Sequence, residues 1–206
     1  DRIDIVATSQ HPVQGQVSIY HVYMQLDGSN VERWYRSDGT EIVAAKPFIP
    51  GSGSLVYNGS TVRGWIWEIA YGADGHPRIL GTRYPNNNGT DIRYMHWRWT
   101  GTAWAQSEIT TAGTGLYSPE IYYCGGICFD ATDVNTVYLS KPDPTVRELQ
   151  VWKTTDNGAT WAKTKSITAG SAAGNVNGRP YSPRNHHPKM RVVWWRGVYT
   201  TYINYN

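Results

Sequence analysis

An all-β fold is what this sequence predicts: a β-propeller of four-stranded antiparallel blades, about four of them, either closed on itself or half of a larger propeller. Three observations carry the prediction. A plan of strand, turn, strand and hairpin recurs at intervals of roughly 50 residues, the spacing of propeller blades. Strand-favouring residues dominate, with 10 Trp and 15 Tyr, while 21 Gly and 11 Pro supply turns. No long stretch carries the 3.6-residue period of an amphipathic helix, so helix is expected to be minor. Residues 1–206 read as one domain, because the repeats run along the whole chain.

The clearest copy runs through Gly126 to Phe129, the turn residues Asp130 to Asn135, Thr136 to Ser140, Leu149 to Lys153, and Lys165 to Gly170. Its hairpin reads T-T-D-N-G-A-T-W, from Thr154 to Trp161. Asp156 can accept hydrogen bonds from the amides of its own turn, Gly158 can take a positive φ, and Trp161 returns as a large apolar cap. The preceding copy has Gly64 to Ala70, the turn Gly72 to Gly75, Arg78 to Gly81, Ile92 to Trp99, the turn Thr100-Gly101, then Ala103-Trp104 and Ile109 to Gly113. A weaker copy opens the chain: Ser18 to Met24, the turn Asp27-Gly28, Val31 to Arg36, and Ser37-Asp38-Gly39. A partial copy closes it, with Arg191 to Trp195, a turn at Arg196-Gly197, and Val198 to Tyr205. Tyr202 to Asn206 reads as a strand in progress, which hints at truncation.

Several function classes recede on composition. The formal net charge of +3 is mild, and Lys and Arg are scattered, so no nucleic-acid partner is expected. A modestly basic, aromatic-rich surface suits an acidic polysaccharide, although ordinary solubility charge explains it as well. No apolar run is long enough for a membrane-spanning helix. The chain begins Asp1-Arg2-Ile3, without Met or signal peptide, which fits a mature secreted form, a processed fragment or an excised piece. No tight His/Asp/Glu cluster appears, so no metal or other cofactor is expected. Cys124 and Cys128, in C-G-G-I-C, admit a local disulfide, two free thiols, half a metal site or a reactive pair. Asn58-Gly59-Ser60 and Asn88-Gly89-Thr90 are glycosylation triplets.

Thr154 to Trp161 resembles the Asp-box of sialidase-type propellers, whose pattern is Ser/Thr-x-Asp-x-Gly-x-Thr-Trp, a folding device and not a catalytic site. Together with His11-Pro12, Ser18 to Tyr23, Ser37 to Thr40, Ala73 to Pro77, Arg93 to Trp97, Tyr122 to Ile127, Asn135 to Ser140, and Arg179-Pro180 before Pro183-Arg184, the chain resembles the later blades of secreted BNR-repeat propellers, a group related to ulvan lyases. The resemblance implies a secreted, extracellular protein that acts on an acidic polysaccharide. Members of that group are about twice this length, so either a small propeller closes alone, two copies pair as a homo-oligomer, or an N-terminal half-propeller is missing.

Lyase cleavage of a uronic acid needs a cation to neutralise the carboxylate, a base for the C5 proton and an acid for the leaving oxygen. His11 and His21 lie in the matched segments of the first copy, Tyr20 and Tyr23 flank His21, and Tyr123 precedes the Gly-Gly bend. His21, Tyr123 and His11 are therefore the catalytic candidates. Arg179 and Arg184 are candidates to bind a carboxylate bidentately, with Tyr20, Tyr23 and Arg93 as further substrate contacts. Each has a structural reading beside it. His21 shares one face of an alternating strand with residues 19 and 23, where a hydrogen-bonded packing role is the commoner one. Tyr123 can pack with its hydroxyl satisfied, and Arg179 can tie blades together. Two other functions compete: a sialidase-like hydrolase using Glu68 or Glu120, and a non-catalytic carbohydrate-binding or assembly module with Trp and Tyr platforms.

Overall fold

The computed structural model describes residues 2–43 and 49–201, and the described chain is almost entirely β. Its strands form three sheets, which do not close into a ring. The first sheet holds β1 (Arg2–Thr8), β2 (Ile19–Leu26), β3 (Glu32–Tyr35) and β4 (Ser54–Tyr57). Strand β2 pairs with β1 along one edge, while β3 and β4 share its other edge end to end. The second sheet is an antiparallel meander of β5 (Arg63–Tyr71), β6 (Pro77–Tyr84), β7 (Ile92–Trp99) and β8 (Trp104–Gly113). The third contains a like meander of β9 (Ile127–Asp130), β10 (Asp133–Pro142), β11 (Arg147–Lys153) and β12 (Ala162–Ser166). A hairpin of β13 (Val176–Tyr181) and β14 (Val193–Gly197) joins it at Arg147↔Val176.

The two meanders follow the two clearest sequence copies, because alternation and turn residues are local signals. At residues 154–161, Asp156 Oδ1 accepts from Thr160 N at 2.8 Å and Gly158 takes φ 86°. A Cβ on Gly158 would come within 2.2 Å of His96 Cε1, so only glycine fits there. The closing copy differs from expectation. Arg196 and Gly197 are not a turn but the end of β14, opposite Asn177 and Val176. Strands β1, β4 and β13 lie outside the segments the repeat picks out, and the expected strand over 202–205 lies outside the described residues.

The second sheet is covered on both faces, which explains why β6 and β7 are buried except at Arg83, Arg93 and Arg98. Ile79, Met95 and Trp97 face the first sheet, packing on Ile19, Val56 and Tyr57. Leu80, Tyr84, Ile92 and Tyr94 face the third, packing on Ile127, Phe129, Val137 and Leu139. Trp97 is fully buried, and truncating it to Ala would remove about 3–5 kcal/mol. Strand β5 lies against β1 on one side and β9 on the other, and β9 lies against β13.

Polar pins cross these apolar contacts. Burial alone would raise the Asp4 carboxyl, but hydrogen bonds from His21, Arg2 and Tyr71 outweigh it and hold it down at about 2. A carboxyl depressed on folding contributes stability that is present above its unfolded pKa and is lost as pH falls through the folded value. Stability is therefore expected to fall by ~2 kcal/mol between about pH 4 and pH 2 through this group. Urea unfolding across that window checks it, and Asp4→Asn should flatten the dependence.

Candidate functional site

The site is assembled where the chain enters β2, β5, β9 and β13. His11 caps the single helical turn Pro12–Gln14, and its Nδ1 accepts from Val13 N at 3.2 Å. With Nδ1 accepting, a neutral ring carries its proton on Nε2. Pro12, next along, gives its carbonyl to Arg63 Nη1 at 2.9 Å, so the turn is anchored to the start of β5. The His11 ring meets Trp65 edge-on at 4.7 Å, and Trp65 meets Tyr123 at 5.2 Å. His11 and Tyr123 themselves lie 6.4 Å apart, centroid to centroid. All three are half-buried, so part of each ring remains open to solvent.

Beyond Tyr123 the chain makes the Gly125-Gly126 bend, and packing dictates both glycines. A Cβ at Gly125 would strike Ser140 Oγ at 2.2 Å. Gly126 has φ 95°, and a Cβ there would lie 3.0 Å from the Trp67 ring and 3.4 Å from Arg179 Cα. The buried Tyr94 hydroxyl lies 3.0 Å from the Gly126 carbonyl and 2.8 Å from that of Ser140, fixing the bend from beneath. Arg179 is drawn onto it by a 2.6 Å hydrogen bond from its amide to the Gly125 carbonyl. Its own φ is 50°, an uncommon left-handed setting at the register shift of β13. Its guanidinium contacts the Tyr199 hydroxyl at 3.5 Å.

Of the sequence candidates, the structure thus brings His11 and Tyr123 together, with Arg179 held at the adjoining glycine bend. It does not add His21. That ring is fully buried, with Nδ1 2.9 Å from Ser37 Oγ and Nε2 2.8 Å from Asp4 Oδ1. Aspartate, histidine and serine stand in a row, but Ser37 is buried and its oxygen already accepts from Trp104 Nε1 at 3.0 Å. Both ring nitrogens of His21 are thus occupied inside the protein, an arrangement that matches the packing role its strand position also allows. A second histidine repeats the arrangement: His96 meets Trp161 at 5.3 Å, as His21 meets Trp104 at 5.3 Å. Burial, with the charge of Arg78 adding to it, drives His96 down to about 3, so it packs as a neutral ring.

The remaining candidates are dispersed. Tyr23 is buried, stacked on Tyr35 at 5.1 Å under the Arg2 guanidinium. Tyr20 lies on the opposite face of β2, in an apolar cavity of about 220 Å³ with Ile5, Ala7, Val22 and Trp34. Arg93 is occupied by Asp91 and by Glu108 at 2.9 Å. Arg184 is exposed and acts electrostatically on Glu68. Glu68 accepts from Phe129 N at 2.7 Å, and burial raises its carboxyl against that bond and Arg184. Glu120 has a buried Oε2 with no hydrogen-bond partner among the described residues. Cys124 and Cys128 are free, buried thiols, each pushed up by burial, so the thiols are poor nucleophiles. No cluster able to hold a metal ion occurs among the described residues, and no described helix is long and apolar enough to cross a membrane.

Sequence reasoning passed over Trp65, Trp67 and Arg63. The signal was present as R-G-W-I-W, a period-two row at the start of β5. Alone, the row signals only a strand, since nothing local says what the Trp faces meet.

The fold of this chain is similar to that of a polysaccharide lyase. The solved structure, described as an ulvan lyase of a new polysaccharide lyase family, PL25, superposes with a TM-score of 0.51 at 14% identity. The match covers 81% of this chain and 43% of that one, so the chain spans less than half the length of its structural neighbour. No family model and no curated protein matches the sequence.

Proposed function

We propose that the chain is part of a β-propeller polysaccharide lyase, working outside the cell, that cleaves an acidic, uronic-acid polysaccharide by β-elimination. The observation that carries this reading is the meeting of His11, Trp65 and Tyr123 beside the Gly126 bend that seats Arg179. The three sheets would be successive blades, with β5 and β9 as neighbouring inner strands. Trp65 and Trp67 offer faces on which sugar rings stack. Arg179 would neutralise the uronate carboxylate, making the C5 proton acidic. Tyr123, as its phenolate, would take that proton as C4=C5 forms and the C4–O bond breaks. The proton would pass from Tyr123 to the departing oxygen, to which the His11 Nε2–H would donate a hydrogen bond. The test is mass spectrometry of chain ends after incubation with ulvan and other uronate polysaccharides. Unsaturated ends support elimination; saturated ends carrying an added water would indicate a sialidase-like or other hydrolase instead.

A second reading, an assembly module, is favoured by one surface. Ile3, Ile5 and Leu55 stand exposed on the outer face of the first sheet, around the apolar cavity that holds Tyr20 and Trp34. Apolar patches of this kind mark interfaces. If copies pair through it, sedimentation should show a concentration-dependent dimer that Ile5→Lys abolishes; a monomer at all concentrations would remove this reading.

A further inference from the structure

The third sheet carries a groove that takes no part in the site above. It has a volume of about 730 Å³ and lies between the outward row of β10–β12 and the segment 188–194. The register sets its floor: Thr136 stands opposite Lys153, and Tyr138 opposite Val151, which stands opposite Lys165. The far wall is held rigidly. Arg191 grips the buried Asp130 with two hydrogen bonds, at 2.7 and 2.6 Å, and Ser182 Oγ donates to the Arg191 carbonyl at 2.7 Å. Tyr138 also donates to Asp130, at 2.6 Å. The Asp130 carboxylate is therefore spent on the wall itself. Asp133 is turned to its own loop, accepting from Asn135 N and Thr136 Oγ1.

Three ammonium groups remain. Lys153, Lys165 and Lys189 line the groove, are exposed, and pair with no carboxylate among the described residues. Neighbouring Lys163, by contrast, is paired to Asp143 at 2.8 Å. Trp194, 38% exposed, presents an aromatic surface into the same groove, and Ile167 and Met190 add apolar patches. Unpaired cations, an aromatic platform and apolar floor patches match a sugar chain bearing carboxylate or sulfate groups.

We infer that this groove is a second binding site, for an anionic glycan, separate from the His11–Trp65–Tyr123 cluster. A nucleic acid is the weaker fit, because the chain has no basic run and a net charge of only +3. The site holds polymer without cutting it, so the inference stands apart from the lyase reading. Elimination is read from product ends, whereas this site is read from binding alone.

The test is calorimetric titration with a chondroitin sulfate hexasaccharide at low salt. Wild-type protein should bind with strong salt dependence. The combined Lys153→Gln, Lys165→Gln and Lys189→Gln variant should bind at least tenfold more weakly, and Trp194→Ala several-fold more weakly. Tyr123→Phe should bind at this site as wild type does. Unchanged binding by the triple variant, equal binding of neutral maltohexaose, or tighter binding of a single-stranded oligonucleotide would overturn the inference. Lysine acetylation of wild-type protein gives a check that needs no variant. The hexasaccharide should protect Lys153, Lys165 and Lys189 and leave Lys163 as reactive as before; equal protection of all four, or of none, contradicts it.

Discussion

Tyr123→Phe is expected to lower β-elimination by about 10²-fold or more, the usual scale for losing an acid–base group, while leaving the protein folded. The ring would keep its 5.2 Å contact with Trp65, and the Glu120 carbonyl would keep its bond from the residue 123 amide. Only the hydroxyl is lost, so stability should change by no more than ~1 kcal/mol. The separation of effects is the informative part. A Tyr123 that merely packed would show the reverse, with activity per folded molecule preserved. Rates of unsaturated-end formation beside urea midpoints distinguish the two.

His21→Ala should do the opposite. It leaves the Asp4 carboxylate and the Ser37 hydroxyl without their shared partner and removes the ring from beneath Trp104. Leaving buried polar groups short of a hydrogen-bond partner costs about 1–3 kcal/mol each, a large share of a typical domain's stability. Per folded molecule, elimination should be unchanged. A variant as stable as wild type but inactive would return His21 to the catalytic role the sequence assigns it.

The difference between His11 and His21 shows where sequence reading runs out. Both lie in matched segments of the first repeat, and both have aromatic neighbours. What separates them is the company each keeps across the chain: Trp65 and Tyr123 for His11; Asp4, Ser37 and Trp104 for His21. Those contacts join residues far apart in sequence, and no local period encodes them. The recurrence of a buried His–Trp pair at His96 and Trp161 adds to the case for His21 as a packing device. By contrast, most strands of the two meanders were legible, because alternation and turn chemistry act within a few residues; the last was placed too late, at Lys165 to Gly170 where β12 spans Ala162–Ser166. The Gly125-Gly126 bend was visible as composition, but its purpose was not. That purpose appears only when Trp67, Ser140 and Arg179 are seen against it. Strands β1 and β13 escaped the repeat because their pairing is decided by their neighbours more than by their own pattern.

The most direct measurement is the ultraviolet absorbance of the unsaturated uronide, followed while wild-type protein and Tyr123→Phe are mixed with a panel of uronate polysaccharides, ulvan first. A steady rise for the wild type, absent or at least a hundredfold slower for the variant, is the predicted result. No rise across the panel from protein shown to be folded, or equal rates for the two proteins, would contradict the assignment of this cluster as an elimination site.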